Sequence, residues 1–282
     1  MPILPTVALL LVFFAGPILW ALYGSFTNMA LSGPQARDPE FVGFANYARL
    51  VQDPDFFRAM WLTVVFVVAS AIIGQNVLGM SLALLLRRGS RAVGGVVRAI
   101  VVLTWVLPEL VAAFVLYAYF APGGTLNQLL GLAGLPPTDW LFVAPMAAIV
   151  LGNIWRGTAF SMMVYEAALA GVPAELTEAA MIDGAGAGQR FFRVVLPVIR
   201  GSVATNLMLI TLQTLAVFTL IWTMTAGGPL GASTTLPVFA YQAAFKMGEI
   251  GYGTAVAAVM LIVGAAFAAL YTRTLQLGRS AT

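Results

Sequence analysis

Six apolar runs, each about as long as a helix needs to cross a hydrocarbon layer of about 30 Å, leave this chain few choices of fold. They cover roughly Ile3 to Phe26, Met60 to Leu86, Ala99 to Phe120, Trp140 to Tyr165, Val203 to Met224 and Thr254 to Tyr271. In lipid each backbone N–H and C=O needs a partner inside the segment, so runs of this length are expected as helices. Composition agrees: 61% of residues are hydrophobic and 9% charged, against about 25% charged in soluble domains. The expectation is an all-α, polytopic membrane protein with six transmembrane helices, forming a single transmembrane domain over residues 1–282. The first run lacks a basic n-region and a clear small-residue cleavage site, so it is expected to stay as a span.

Missing residue types narrow the chemistry. Without Cys there is no disulfide or thiolate metal site, and without His there is no HExxH zinc motif, Ser-His triad or imidazole proton relay. The single lysine, Lys246, precedes Met247, so no GxxxxGK[ST] phosphate loop is present and any ATP is hydrolysed by another chain. The net charge of +3 and pI near 9.4 come from few charges spread over loops, which is no nucleic-acid footprint. Those charges set topology instead. Arg87, Arg88, Arg91, Arg98, Arg190, Arg193, Arg200, Arg273 and Arg279 fall on one face, against Arg37, Arg49, Arg58 and Lys246 on the other. By the positive-inside rule the first face is cytoplasmic, and with six spans both termini lie there.

The longest polar interruption, residues 166–201, separates the fourth and fifth runs and falls on that face. It carries Glu166, Glu175, Glu178, Asp183, Arg190 and Arg193. Pro173 suits the first residue of a new helix, with Glu175 near its positive end. Ala174 to Ile182 is made of helix formers apart from Thr177, and the GAGAG run from Gly184 supplies a stop with positive φ available. The result is one short helix, too short to stand without packing. A second helix restart is expected at Leu196 and Pro197.

The ordered string Glu178, Ala179, Ala180, Asp183, Gly184, Leu196 and Pro197 resembles the EAA loop of binding-protein-dependent ABC-transporter permeases: EAA, a glycine four residues after its last alanine, and a terminal Leu-Pro. Further elements resemble the maltose and glycerol-phosphate type of permease. They are FVGFANYARL (Phe41 to Leu50), GMSLALLLRR, the GTLNQLLGLAGL stretch within Gly123 to Trp140, NIWRGTAF (Asn153 to Phe160), TAGGP with STTL, and AFKMGEIGYGTA (Ala244 to Ala255). No loop is long enough for the extra periplasmic domain of the maltose permease, and Phe218-Thr219 stands where many relatives have Phe-Asp.

The resemblance implies a permease subunit of an ATP-driven importer for a sugar or related solute, in the bacterial plasma membrane. The 174–182 helix would be a cytoplasmic coupling helix seated in an ATPase. It implies a second permease subunit, an ATPase dimer holding ATP and Mg, and an extracytoplasmic solute-binding protein, with no cofactor in this chain.

Inside the apolar runs, an ionisable group costs about 2.5–3.5 kcal/mol at a helix centre on insertion scales, so Glu109 and Arg156 need a wet cavity or a partner. Together with Asn153, Trp105 and Trp155 they are candidates for the solute path, with a structural Glu109–Arg156 pair or headgroup-level placement as the other reading; Gln213 is a further path candidate that interhelical hydrogen bonding explains as well. Gln75 and Asn76, among Gly74 and Gly79, suit close helix packing and interhelical hydrogen bonds, with a polar path lining as the alternative. The rival class, an ion-gradient-driven transporter or channel, predicts inverted repeats and mid-membrane carboxylates, of which Glu109 alone is clear.

Overall fold

The computed structural model describes residues 4–279. Among them there is no strand, only an isolated antiparallel bridge between Thr27 and Phe41. The helices are α1 (Pro5–Gly24), α2 (Pro54–Arg87), α3 (Arg91–Val106), α4 (Glu109–Phe120), α5 (Pro145–Ala170), α6 (Ala174–Ile182), α7 (Ala187–Val198), α8 (Arg200–Leu215), α9 (Thr219–Thr225) and α10 (Ile250–Arg279). Five are long and apolar enough to cross a membrane, α4 being counted through to Leu132; α7 and α8, bent by 73°, make a sixth if taken as one span. The protein is an all-α membrane protein.

The helix limits depart from the apolar runs for local reasons. α2 begins six residues before Met60, because Asp53 caps it: its Oδ1 accepts the Asp55 N–H at 2.9 Å, and Pro54 fills the first helical position. The expected third span is broken at Leu107–Pro108, where proline has no N–H and holds Leu107 extended (φ −57°, ψ 134°). The expected fifth span is broken at 216–218, between α8 and α9. α5 starts at Pro145, after a short separate turn Trp140–Val143, and continues to Ala170. Glu166 therefore lies inside a helix and not in the polar loop.

Two compact units can be distinguished: the chain up to Val64 with Ala226–Ala265, and Val65–Thr225 with the chain from Ala266. In the first, Leu50, Phe56, Ala59, Leu236, Phe239, Tyr252 and Val256 form the core. The FVGFANYARL element is a fastening. Phe26 packs on Phe41, Phe44 and Tyr47, and Asn46 Nδ2 donates to the carbonyls of Ser25 and Thr27 at 2.9 and 2.8 Å. Arg49 pairs with Glu249 at 2.7 Å and lies over the Tyr252 ring, whose hydroxyl donates to Asp53.

In the second unit α5 is the central helix. It packs along the 65–87 part of α2 at backbone range: a Cβ on Gly79 would lie 2.5 Å from Ser161 Cβ, and one on Gly157 2.3 Å from Gln75 Cδ. Small residues at such crossings let two membrane helices approach closely.

Candidate functional site

The 166–201 segment supplies an exposed rod with closed ends. Pro173 is extended (φ −58°, ψ 134°) and stands immediately before α6 rather than as its first residue. Glu175 sits in the first turn, at the positive end of the helix dipole. At the other end Gly184 adopts φ +78°. Its N–H donates to Met181 O at 3.0 Å and the Ala185 N–H to Ala180 O at 2.9 Å, the paired bonds that close a helix on a left-handed residue. The glycine four residues after Ala180 is thus where the helix must turn away. No residue of α6 is buried; Leu176, Met181 and Ile182 are exposed, the last at 88%. Asp183 caps the negative end, where the dipole disfavours a carboxylate. Neither Glu178 nor Asp183 takes a side-chain partner among the described residues. Ala179 and Ala180 leave a flat face between these charges.

Beneath the rod, Leu196 packs with Val172, Val195 and Ile199 against Ala83, Tyr165 and Leu169. Contrary to expectation no helix restarts at Leu196. It lies inside α7, which begins at Ala187 after Gln189 accepts the Gly186 N–H, and the bend comes at Ile199. Pro197 explains the place: lacking an N–H, it leaves the preceding turn to wide, π-type bonding over Phe191–Val195. The end of α5 is held from two sides. Arg87 Nη1 donates to Leu169 O at 3.1 Å, and Arg98 grips Glu166 through Nε–Oε2 at 3.0 Å and Nη2–Oε1 at 2.6 Å.

The polar residues of the spans fall into two groups. Asn153, 4% exposed, donates to Ser70 Oγ at 2.8 Å, and its backbone oxygen accepts from buried Gln75 at 3.1 Å. Asn206 Nδ2 lies 3.0 Å from Asn76 Oδ1, 3.0 Å from Ser161 Oγ and 3.1 Å from Tyr165 Oη, and Tyr165 donates to Asn76. These bonds join α2, α5 and α8. The Asn206, Ser161 and Tyr165 members were not anticipated, although Ser161 and Tyr165, four apart, mark one helix face in an apolar run.

The second group is exposed or half-buried. Arg156 is half-buried, its Nε shielded without a partner. Trp155 is 41% exposed, and Gln213 is exposed. Trp105 lies tilted against Phe160, with 6.0 Å between ring centroids. Arg156 does not pair with Glu109. Glu109 Oε1 instead accepts the Leu220 N–H at 3.2 Å, joining the start of α4, at one helix break, to the start of α9, at the other.

Residues 75–276, which include α6 and every member of these groups except Ser70, match the family described as binding-protein-dependent transport system inner membrane component. The chain belongs to this family. The permease is 32% identical to the trehalose/maltose transport system permease protein MalF of Thermococcus litoralis, over 98% of this chain and 92% of that one. It is also 32% identical to the sulfoquinovosyl glycerol transport system permease protein SmoG of Agrobacterium fabrum, over 96% and 88%. Among solved structures, a bacterial alginate ABC transporter in complex with an alginate pentasaccharide-bound periplasmic protein has a chain of the same fold. Its TM-score is 0.77 at 21% identity, over 95% of the permease and 90% of that chain. The permease is therefore the membrane component of an ATP-driven importer and not an enzyme; it works in a complex with a binding protein and an ATPase.

Proposed function

We propose that the permease carries a sugar or sugar derivative, and that α6 is its coupling helix, docked in a groove of the ATPase on the cytoplasmic side. The observation that carries this reading is α6 itself: a rod closed at both ends with no buried residue, with exposed apolar Met181 and Ile182 near Glu178 and Asp183, which have no side-chain partner among the described residues. A helix of two to three turns is unstable in water unless it packs on something. An acidic, partly apolar rod fits a basic-rimmed apolar groove. Glu178, Ala179, Ala180, Asp183 and Gly184 make the docking surface, while Leu196 and Pro197 fix how the rod is carried. The names of the relatives support saccharide cargo.

In this reading residues 1–282 are one permease domain and half of the path. A second permease, a different chain, supplies the other half, and an ATPase dimer holds the ATP and Mg. An extracytoplasmic binding protein delivers the solute. The chain sits in a bacterial plasma membrane with both termini inside, following its arginines. Arg156, Trp155 and Gln213 line the path, offering a guanidinium donor, an aromatic face and an amide. Glu109 and Asn153 shape it by joining helix ends and helix faces. Closure of the ATPase pair displaces α6, and α5, three residues away, opens or closes the path.

Gly184→Asp and Glu178→Lys test the docking. Both variants should reach the membrane yet lose the ATPase on co-purification; retained binding and uptake in both would refute it. Arg156→Ala tests the path, since normal uptake at normal expression would remove Arg156 from it.

A further inference from the structure

The fork between Arg98 and Glu166 sits where the motion of α6 must enter the membrane. We propose that this pair is a positioning clamp that makes α3 follow α5 when α6 is displaced; the proposal rests on the docking reading above. Glu166 lies four residues before the end of α5, and α6 begins after only Gly171–Pro173. α3 is a rod between two breaks, Gly89–Ser90 at one end and Leu107–Pro108 at the other. Its apolar contacts with α5, such as Trp105 on Phe160, let one helix slide along the other.

The fork does not. Both Arg98 donors engage both Glu166 oxygens, a geometry that resists sliding and rotation alike and that lysine cannot reproduce. Exposed ion pairs contribute little to stability, and with Arg98 47% and Glu166 19% exposed the fork acts through its two-point geometry rather than through its strength. Arg87, on the Leu169 carbonyl, ties α2 to the same turn. The end of α5 thus moves with two neighbours rather than alone.

The chain has no cysteine, so Leu103→Cys and Ala170→Cys can carry nitroxides in the complex purified through this chain with cysteine-free partners. Double electron–electron resonance then reads the α3–α5 spacing without nucleotide and with ATP and vanadate. With the native pair the expected result is one narrow distance in both states. Arg98→Glu and Glu166→Arg should each broaden and shift it on adding nucleotide while ATP hydrolysis persists, and the double exchange should restore the narrow distance. Single variants with unchanged distances, or a double exchange that stays broad, would overturn the clamp. Failure of any ATPase to co-purify with the unaltered chain would overturn the docking reading instead, and the clamp with it.

Discussion

Replacing Gly184 isolates the shape of the rod from its chemistry. The residue holds φ +78°, and a Cβ built there meets nothing within 4 Å, so substitution adds no clash and acts through the backbone alone. A side chain in the left-handed region costs about 1–2 kcal/mol, and asparagine tolerates it better than alanine. If the free loop relaxes out of this turn once a Cβ is present and must regain it to dock, Gly184→Ala should weaken ATPase binding by up to roughly 5- to 30-fold, the equivalent of 1–2 kcal/mol. Gly184→Asn should fall between alanine and glycine. The assay is titration of purified ATPase onto the permease in nanodiscs, with thermal unfolding of the isolated permease as a control for global damage. Equal affinities for all three residues, or alanine binding better than asparagine, would refute the claim that this turn presents the rod.

Two further substitutions probe the membrane interior. Tyr165→Phe and Asn206→Ala should each lower stability in detergent by about 1 kcal/mol, the scale of hydrogen bonds between membrane helices. Their effects should sum to less than additive in the double variant, because both act on one network; full additivity by denaturation would deny the network. Gly79→Val, forced against Ser161, should cost about 1–3 kcal/mol by overpacking. Gly95→Ala in α3, where a Cβ meets nothing within 4 Å, should be neutral or stabilising by up to about 1 kcal/mol; thermal shifts of similar size and sign would contradict the packing described.

The sequence carried the class of fold and the rod because both depend on local signals. Apolar length announces a membrane helix, Pro173 and Gly184 bracket α6, and its limits of Ala174 and Ile182 follow from helix formers between two breakers. The break at Pro108 has a visible cause, but the apolar length on both sides of it outweighs one proline and marks a single span. The break before α9 had none: residues 216–218 hold neither Pro nor Gly, and what stabilises the start of α9 is Glu109 from another helix. Partners distant in sequence were equally hidden. In the sequence Arg98 is one topological charge among several and Glu166 borders a polar loop, and only the extension of α5 to Ala170 brings them together. Gln75 and Asn153 read as polar in apolar runs, but whether such groups face a path or another helix depends on helix rotation, which apolar length does not encode.

Coupling through α6 requires that it lie on the cytoplasmic side and that the ATPase cover it. Ile182, 88% exposed, replaced by Cys in this cysteine-free chain, gives a single reporter for a membrane-impermeant maleimide. The expected outcome is no labelling in intact cells, rapid labelling in inside-out vesicles stripped of ATPase, and protection when the ATPase is restored. Labelling from outside intact cells, or a thiol equally reactive with and without bound ATPase, would contradict it.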